Sequence, residues 1–337
     1  MFSLTTFIDH DLGLGHPLNY FALFLAASLF LVWRLEAMLA NGLEGTALGA
    51  LFMPLCSGLG NLLFVAVAHQ RGIAASEVAV NSLGNNLTNL LLILPVVALV
   101  TDLSLRPAPS AKKSTRKAAK TKGPAPEALH LLALFLTLGA ATLFPIIAWA
   151  LSLDGHLDRG DGFALIALFV LWQTFHLYDV RKHQLVNRQR ISPLVFLDAL
   201  LALGAAYLLL ISLDWLVEWL SKRPADSLGA GHLGWLTAWL MVLPNAALAA
   251  YYAFRRRADI VYASQIGDGH ICIPLCLGLA TAFFPFAPPA WFGESLLILA
   301  GAAVFHALCL MVFKGLPRPF AIVPLAAYGW CLYQGLG

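Results

Sequence analysis

The sequence predicts an all-α polytopic membrane protein of about ten transmembrane helices, arranged as two inverted halves of five. Three observations predict this class. Apolar runs of roughly 20 residues recur along the whole chain, each long enough to cross a bilayer as a helix. The basic residues fall almost entirely into alternate loops. An asparagine–glycine pattern in the first half returns in the second with opposite direction.

Composition supports the first point. The chain has 337 residues, 60% apolar and 12% charged, with a mean hydropathy of +0.78. Soluble globular chains carry about 25% charged residues, so lipid is the solvent for most of this surface. In hydrocarbon only helices or closed barrels satisfy the backbone, and these runs are too long and continuous for barrel strands. The spans are expected near 17–38, 46–68, 76–100, 127–151, 161–180, 193–219, 231–254, 259–283, 290–313 and 318–335. No basic residue precedes Arg34, so the first span lacks the positive segment of a cleaved signal peptide and is expected to be retained.

Charge sets the direction of the spans. One set of loops and helix ends collects Arg34, seven basic residues between Arg106 and Lys122, then Arg181, Lys182, Arg188 and Arg190, then Arg255, Arg256 and Arg257, then Lys314 and Arg318. That is 17 of the 21 basic residues, against Arg71, Arg159, Lys222 and Arg223 on the other side. The positive-inside rule places both termini outside the cytoplasm. The expected location is a plasma membrane, of the bacterial inner-membrane kind. The segment 105–126, LRPAPSAKKSTRKAAKTKGPAP, reads as a proline-flanked cytoplasmic linker. It serves as a topology signal and is able to meet anionic headgroups of membrane lipids. These loop-borne charges follow topology, so no nucleic acid is expected as a partner.

The second span ends CSGLGNLLFVAVAHQRG and the seventh carries MVLPNAALAAYYAFRRR, each with one asparagine deep in a helix, Asn61 and Asn245. The third span contains VNSLGNNLTNLLL and the eighth YASQIGDGHICIPLCLGL. Each glycine, Gly84 and Gly267, follows its asparagine by a similar interval and is followed by a short polar cluster. The second span runs outward and the seventh inward, so the two units read as inverted repeats. The first half would cover 1–180, with its repeat at about 46–95, and the second 193–337, with its repeat at about 231–280. Helices interrupted by glycine at matching places mark the central site of many secondary transporters. Freed carbonyls and carboxamide oxygens there can hold an ion. Asparagines at lipid depth are unfavourable unless they face protein or water, although bonds between helices would also satisfy them.

This layout resembles the sodium/calcium exchanger family of cation antiporters, which has ten spans in two inverted halves. Its repeats carry Gly-Thr-Ser-x-Pro-Glu in one helix and Gly-Ser-Asn-x-x-Asn in the next. GNNLTN, Gly84 to Asn89, keeps Gly84, Asn86 and Asn89, with Asn85 replacing serine. CSGLGN, Cys56 to Asn61, places Ser57 in the threonine slot. MVLPN, Met241 to Asn245, keeps Pro244 but loses both hydroxyls. GDGHIC, Gly267 to Cys272, puts Asp268 in the serine slot. The resemblance implies an ion-binding set of Ser57, Asn61, Asn85, Asn86, Asn89, Asn245 and Asp268, with His270 beside it as a proton relay. Asn61 and Asn245 stand where the family has glutamates.

That departure bears on selectivity. One carboxylate, Asp268, balances one sodium ion or one proton and leaves calcium half-compensated. The expected activity is secondary-active antiport with altered selectivity, coupled to a monovalent cation or a proton. Sodium, proton and calcium are the inorganic cations in view. The alternative is a transport-inactive relative serving as a membrane subunit or scaffold, with a protein partner or further copies of the chain. No enzyme motif is present, and no cofactor is expected.

The remaining polar groups read more simply. Asp198 is expected to pair with a loop arginine, Glu36 and His176 to lie at the interface, and Glu294 and His306 to meet a basic residue or line a cavity. The loops DHDLGLGH, from Asp9, and DGHLDRGDG, from Asp154, read as solvated rather than metal-binding, because neither has the glycine and glutamate of a calcium loop. All five cysteines lie in apolar segments and read as small core residues rather than a disulfide framework.

Overall fold

A computed structural model of the protein describes residues 16–38, 41, 58–105, 126–184, 192–222 and 231–337. Ten helical units appear within them. They are α1 (Pro17–Met38), α2 (Leu59–Arg71), α3 (Ala75–Val100), α4 (Pro126–Leu151), α5 (Arg159–Gln184), α6 (Leu194–Ser221), α7 (Leu233–Phe254), α8 (Ala258–Phe283), α9 (Phe292–Phe313) and α10 (Ile322–Leu336). Eight of these are long and apolar enough to cross a membrane. The start of the second span and the linker at 106–125 lie outside the described residues. So do Ser57, Cys56 and most of the first acidic loop.

The helices fall into two halves of five, α1–α5 and α6–α10, related as inverted repeats. The centre of each half shows the relation most directly. α3 and α8 are both 26 residues long. They begin 183 residues apart, at 75 and 258, and end 183 residues apart, at 100 and 283. Each contains a six-residue π-helical stretch in its second half, Thr88–Ile93 in α3 and Cys272–Leu277 in α8. Such a stretch adds one residue to a turn and frees a carbonyl from the regular ladder, and π-bulges concentrate at functional sites.

The ends of the spans repeat the symmetry. Ser104, after α3, bridges Gly315, after α9, and Leu157, after α4, bridges Phe286, after α8. Two backbone bonds between Leu157 and Phe286, of 2.9 and 3.1 Å, tie the second bridge. α5 packs on the end of α8, and α10 packs on the π segment of α3.

Burial divides the bundle by role. α3 and α8 are the most enclosed spans, with roughly three quarters of their positions buried, whereas α5 is mostly exposed to lipid. One apolar core joins α3, α4 and α7–α10, and a second joins α1, α2 and α6. α1 and α6 lie against each other and are locked by Arg34, whose Nη1 lies 3.1 Å from Asp198 Oδ1. Asn41 Nδ2 donates to the other oxygen of Asp198 at 2.8 Å. Asp198 does take an arginine, but from α1 rather than from a loop. At the opposite end, Arg71 of α2 makes a two-pronged bond to Asp214, both contacts at 2.7 Å, and reaches Glu218 at 2.7 Å.

The loop before α5 contains no cation site among its described residues. Its aspartates close turns on themselves: Asp158 N–H donates to Asp161 and Asp161 N–H to Asp158. His156 N–H donates to Asp154 in the same way.

Candidate functional site

The polar centre of the molecule is built where α3 crosses α8, flanked by α2 and α7. Asn85 and Asp268 are each the eleventh residue of their 26-residue span, so the repeat places a carboxamide opposite a carboxylate near mid-helix. A chain of side-chain bonds joins all four helices. Asn85 Nδ2 donates to Asn61 Oδ1 at 3.3 Å, and Asn89 Nδ2 donates to Asn85 Oδ1 at 3.1 Å. Asn89 Nδ2 also donates to Asp268 Oδ2 at 3.1 Å, and Asn245 Nδ2 donates to the same oxygen. Gln265 Nε2 in turn donates to the Asn245 carbonyl at 3.1 Å. Asp268, Asn85, Asn86 and Asn89 are all at most 1% exposed, so bulk solvent does not reach them.

The orientation of these amides follows from their partners. Asn89 and Asn245 face a carboxylate, Asn86 Nδ2 donates to the Ser82 carbonyl at 2.7 Å, and Gln265 faces a carbonyl. Each of these is an acceptor, so the amide must present its nitrogen. Asn86 Oδ1, Asn89 Oδ1, Asn81 Oδ1, Gln265 Oε1 and Ser82 Oγ are buried with no hydrogen-bond partner. In Asn81, Asn86, Asn89 and Gln265 the nitrogen is satisfied while the oxygen is not. Buried unsatisfied polar atoms are rare in folded proteins and mark functional or ion-binding positions when they occur together.

Two glycines make the crossing close enough. A Cβ on Gly84 would stand 3.1 Å from both Ala238 and Trp235, so α3 meets α7 there without a side chain between them. A Cβ on Gly269 would stand 2.9 Å from Asn86 Oδ1. Asn86 and Gly269 occupy equivalent positions in the two repeats, so the missing side chain on α8 leaves room for the carboxamide of α3.

The expected break at Gly84 is displaced. α3 is regular through Gly84 up to Leu87, and the irregular segment starts at Thr88. Thr88 Oγ1 bonds back to the Gly84 carbonyl at 2.7 Å and to Tyr328 of α10 at 2.9 Å. In α8 the break does follow Gly267: the helix ends there, turns at Asp268 and resumes at Gly269 before its π segment.

Of the expected set, Asn61, Asn85, Asn89, Asn245 and Asp268 form one bonded chain, and Asn86 lies beside it against Gly269. Ser57 falls outside the described residues. His270 is turned away: its Nε2 meets the Thr137 carbonyl at 3.0 Å, and its ring lies edge-on to Phe144 and Trp172. It lines a separate cavity of about 70 Å³ with Gln173 and His176. His306 Nε2 meets the Leu90 carbonyl at 2.9 Å, and Glu294 accepts from Trp330 at 2.7 Å, so neither reaches a basic residue. Gln265 was missed by sequence reasoning. Its signal was a lone carboxamide in the apolar face of the eighth span, at the position equivalent to Ser82.

The comparisons with known proteins agree with this architecture. The family model of the sodium/calcium exchanger protein matches residues 17–178. No curated protein matches the chain by sequence. Among solved structures the chain is similar to the sodium-calcium exchanger NCX_Mj. Soaked with 10 mM sodium and no calcium, that protein aligns at a TM-score of 0.64 and 18% identity over 94% of this chain and 98% of its own. Soaked with 2.5 mM sodium and 0.1 mM calcium, it aligns at 0.65 and 18% over 94% and 98%. With 0.1 mM strontium in place of calcium the values are 0.65 and 19% over 96% and 99%. The family's sequence pattern thus matches the first half of the chain, and the chain has the fold of the exchanger NCX_Mj along nearly all of its length.

Proposed function

We infer that the chain is a secondary-active cation antiporter, and that Asn61, Asn85, Asn86, Asn89, Asn245 and Asp268 form its ion site. One observation carries this reading. Asn89 and Asn245 bond one buried carboxylate, Asp268, at the crossing of the two repeats, and Asn86 Oδ1 and Asn89 Oδ1 of the same cluster are buried without a partner. Oxygen donors in that state are cation ligands in waiting, because a cation supplies the interaction that no donor of the protein supplies.

The charge at this site differs from that of an exchanger carrying a glutamate in each repeat. Here both glutamate slots hold asparagine, and the carboxylate has moved to Asp268. Neutral oxygens replace a hydration shell but do not neutralise charge. In a medium of low dielectric the uncompensated charge of a divalent ion is strongly unfavourable. The site therefore takes a sodium ion or a proton as its coupling ion, and does not hold calcium tightly. His270 stands apart as a structural bond to α4 rather than as a ligand. The linker at 106–125 lies in the cytoplasm, both termini lie outside it, and the membrane is a plasma membrane of the bacterial kind.

Reconstitution of the full chain in liposomes tests this. Cation flux driven by an imposed sodium or proton gradient is expected, and Asp268→Asn is expected to abolish it. Flux unchanged by Asp268→Asn would overturn the placement of the site.

A further inference from the structure

At the end of the bundle that carries the basic loops, a cleft of about 810 Å³ opens among the residues that end α3, α7 and α9, with Arg318 just before α10. Small-molecule pockets run to roughly 300–1,000 Å³, so the cleft has room for a ligand. The bridge between Ser104 and Gly315 holds the ends of α3 and α9 together inside it. Leu105 N–H donates to the Lys314 carbonyl at 2.7 Å, and a Cβ on Gly315 would collide with the Leu103 carbonyl.

The three consecutive arginines after α7 have different surroundings. Arg255 lies over the Tyr251 ring, 4.8 Å from its centroid. Arg257 pairs with Asp259 at 3.0 and 3.1 Å. Arg256, between them, lines the cleft and is exposed, as is Arg318. Neither has an ion-pair partner among the described residues. Asp102 brings an exposed carboxylate to the same cleft. Two cations and one carboxylate thus line one space, none of them paired with another.

Backbone strain marks the same place. Among the described residues, the non-glycine residues at positive φ are Arg256 and Lys314, at 57° and 63°. Each closes a helix, α7 or α9, in the left-handed turn that favours glycine. A topology signal needs basic residues somewhere in a loop, not at these two strained positions. The chain keeps a long cation at both.

The apolar lining narrows the ligand. Val100, Phe254 and Phe313 are the last residues of α3, α7 and α9, and all three line the cleft and are exposed. Helix ends lie where hydrocarbon gives way to headgroups. The cleft therefore meets acyl chains at its apolar residues and the headgroup layer at its arginines. A dissolved anion has no use for the apolar part. The linker at 106–125 has seven basic and no acidic residues, so it does not supply an anion either.

We propose that this cleft binds a phospholipid of the ethanolamine class. Its phosphate lies between Arg256 and Arg318, because guanidinium groups pair with phosphate oxygens through parallel hydrogen bonds. Its primary ammonium donates to Asp102, and its acyl chains run along Val100, Phe254 and Phe313. Basic pockets between membrane helices take lipid headgroups, and the added carboxylate selects among them. A trimethylated ammonium has no N–H to donate, and a glycerol headgroup has no positive charge. The assignment does not depend on which ion the protein carries.

The test uses the full-length chain, stripped of lipid in detergent and followed by native mass spectrometry. Dioleoyl phosphatidylethanolamine, phosphatidylcholine and phosphatidylglycerol are added in turn, and the ethanolamine lipid is expected to bind most tightly. Arg256→Gln and Arg318→Gln are each expected to weaken it roughly 10-fold, the scale of one hydrogen-bonded charge pair. Asp102→Asn is expected to bring phosphatidylethanolamine down to the level of phosphatidylglycerol while the latter still binds. Arg256→Gly separates fold from site. It relieves the left-handed backbone, so the melting temperature without lipid is expected to hold or rise while lipid binding falls. Unchanged affinity for phosphatidylethanolamine when both arginines are replaced by glutamine would overturn the proposal. Displacement of the lipid by millimolar inorganic phosphate would also overturn it, leaving a site for a dissolved anion. Equal binding of all three lipids by the wild type would remove Asp102 from the site and the ethanolamine assignment with it.

Discussion

Asn89 and Asp268 lie 179 residues apart in the chain, yet Asn89 Nδ2 donates to Asp268 Oδ2 at 3.1 Å. This bond crosses from the central helix of one repeat to that of the other. Asn245 donates to the same oxygen. One carboxylate thus serves both halves, and the repeats share a single charge. The first prediction follows. Asp268→Asn removes the one carboxylate of the cluster among the described residues while preserving its shape, so any cation-dependent stabilisation of the purified protein should vanish. Thermal melting with and without sodium, across a range of pH, checks this; persistence of the cation effect in the variant would count against the site.

The second prediction concerns calcium. The wild type should show no high-affinity calcium binding, because one negative charge half-compensates a divalent ion at low dielectric. Asn61→Glu combined with Asn245→Glu restores a carboxylate to each repeat at the slots where the family has them. Calcium affinity should then rise by an order of magnitude or more, since ligand charge count sets calcium affinity. Isothermal titration of both proteins decides it, and micromolar binding by the wild type would contradict the charge argument.

The third prediction isolates the fit between the repeats. Gly269→Ala places a methyl group 2.9 Å from Asn86 Oδ1. The carboxamide is the end of a side chain and can rotate, so the fold should survive with a loss of about 1–2 kcal/mol. The ion site should suffer more than the fold, because Asn86 Oδ1 is among its unpartnered oxygens. Cation flux against melting temperature separates the two effects. Equal flux at a lower melting temperature would remove Asn86 from the site.

Much of this architecture was legible in the sequence, for physical reasons. The spans were readable because hydrocarbon demands long apolar runs, and their order because basic loops alternate. The carboxamides were readable because Asn61, Asn85, Asn86 and Asn89 interrupt those runs at a depth where polar groups need a reason. The π segments were not. TNLLLI and CIPLCL carry no composition that distinguishes one extra residue per turn from a regular helix. The break was therefore expected at Gly84, where the glycine instead lets α3 approach Trp235 and Ala238. His270 was assigned to the ion set because it lies two residues from Asp268. Two residues along a helix turn a side chain to nearly the opposite face, and there it meets Thr137 of α4. Cys272 was read as core because cysteine is at home in apolar segments, and it is fully buried.

The fourth prediction concerns the clamp between α1 and α6. Arg34 and Asp198 form a nearly buried pair at 3.1 Å, with side chains 14% and 7% exposed. Arg34 also stacks on Trp33, its guanidinium carbon 3.6 Å from the ring centroid. Removing one member leaves the other charge without its partner, so Arg34→Met should destabilise the protein by roughly 3 kcal/mol or more. Asp198→Asn alone should cost less, because the carboxamide still accepts from Asn41. Replacing both together, Arg34→Met with Asp198→Leu, should recover most of the loss, since no unpaired charge remains. Melting of the three variants in detergent checks the order, and a double variant no more stable than Arg34→Met would show that the pair acts through packing rather than charge.

The fifth prediction fixes direction. The site exchanges ions between two defined compartments only if the repeats sit in one orientation, and that orientation rests on the 17 basic residues gathered on one side. Seven of them lie in the linker, and on the positive-inside reading the surface potential of the cytoplasmic leaflet would add to the bias. A cysteine at Thr115, in a chain whose native cysteines are replaced by serine, should react with a membrane-impermeant maleimide only after the cells are opened. Labelling of intact cells would place the linker outside. It would also invert α3 and α8 together with the ion gradient that their shared carboxylate meets.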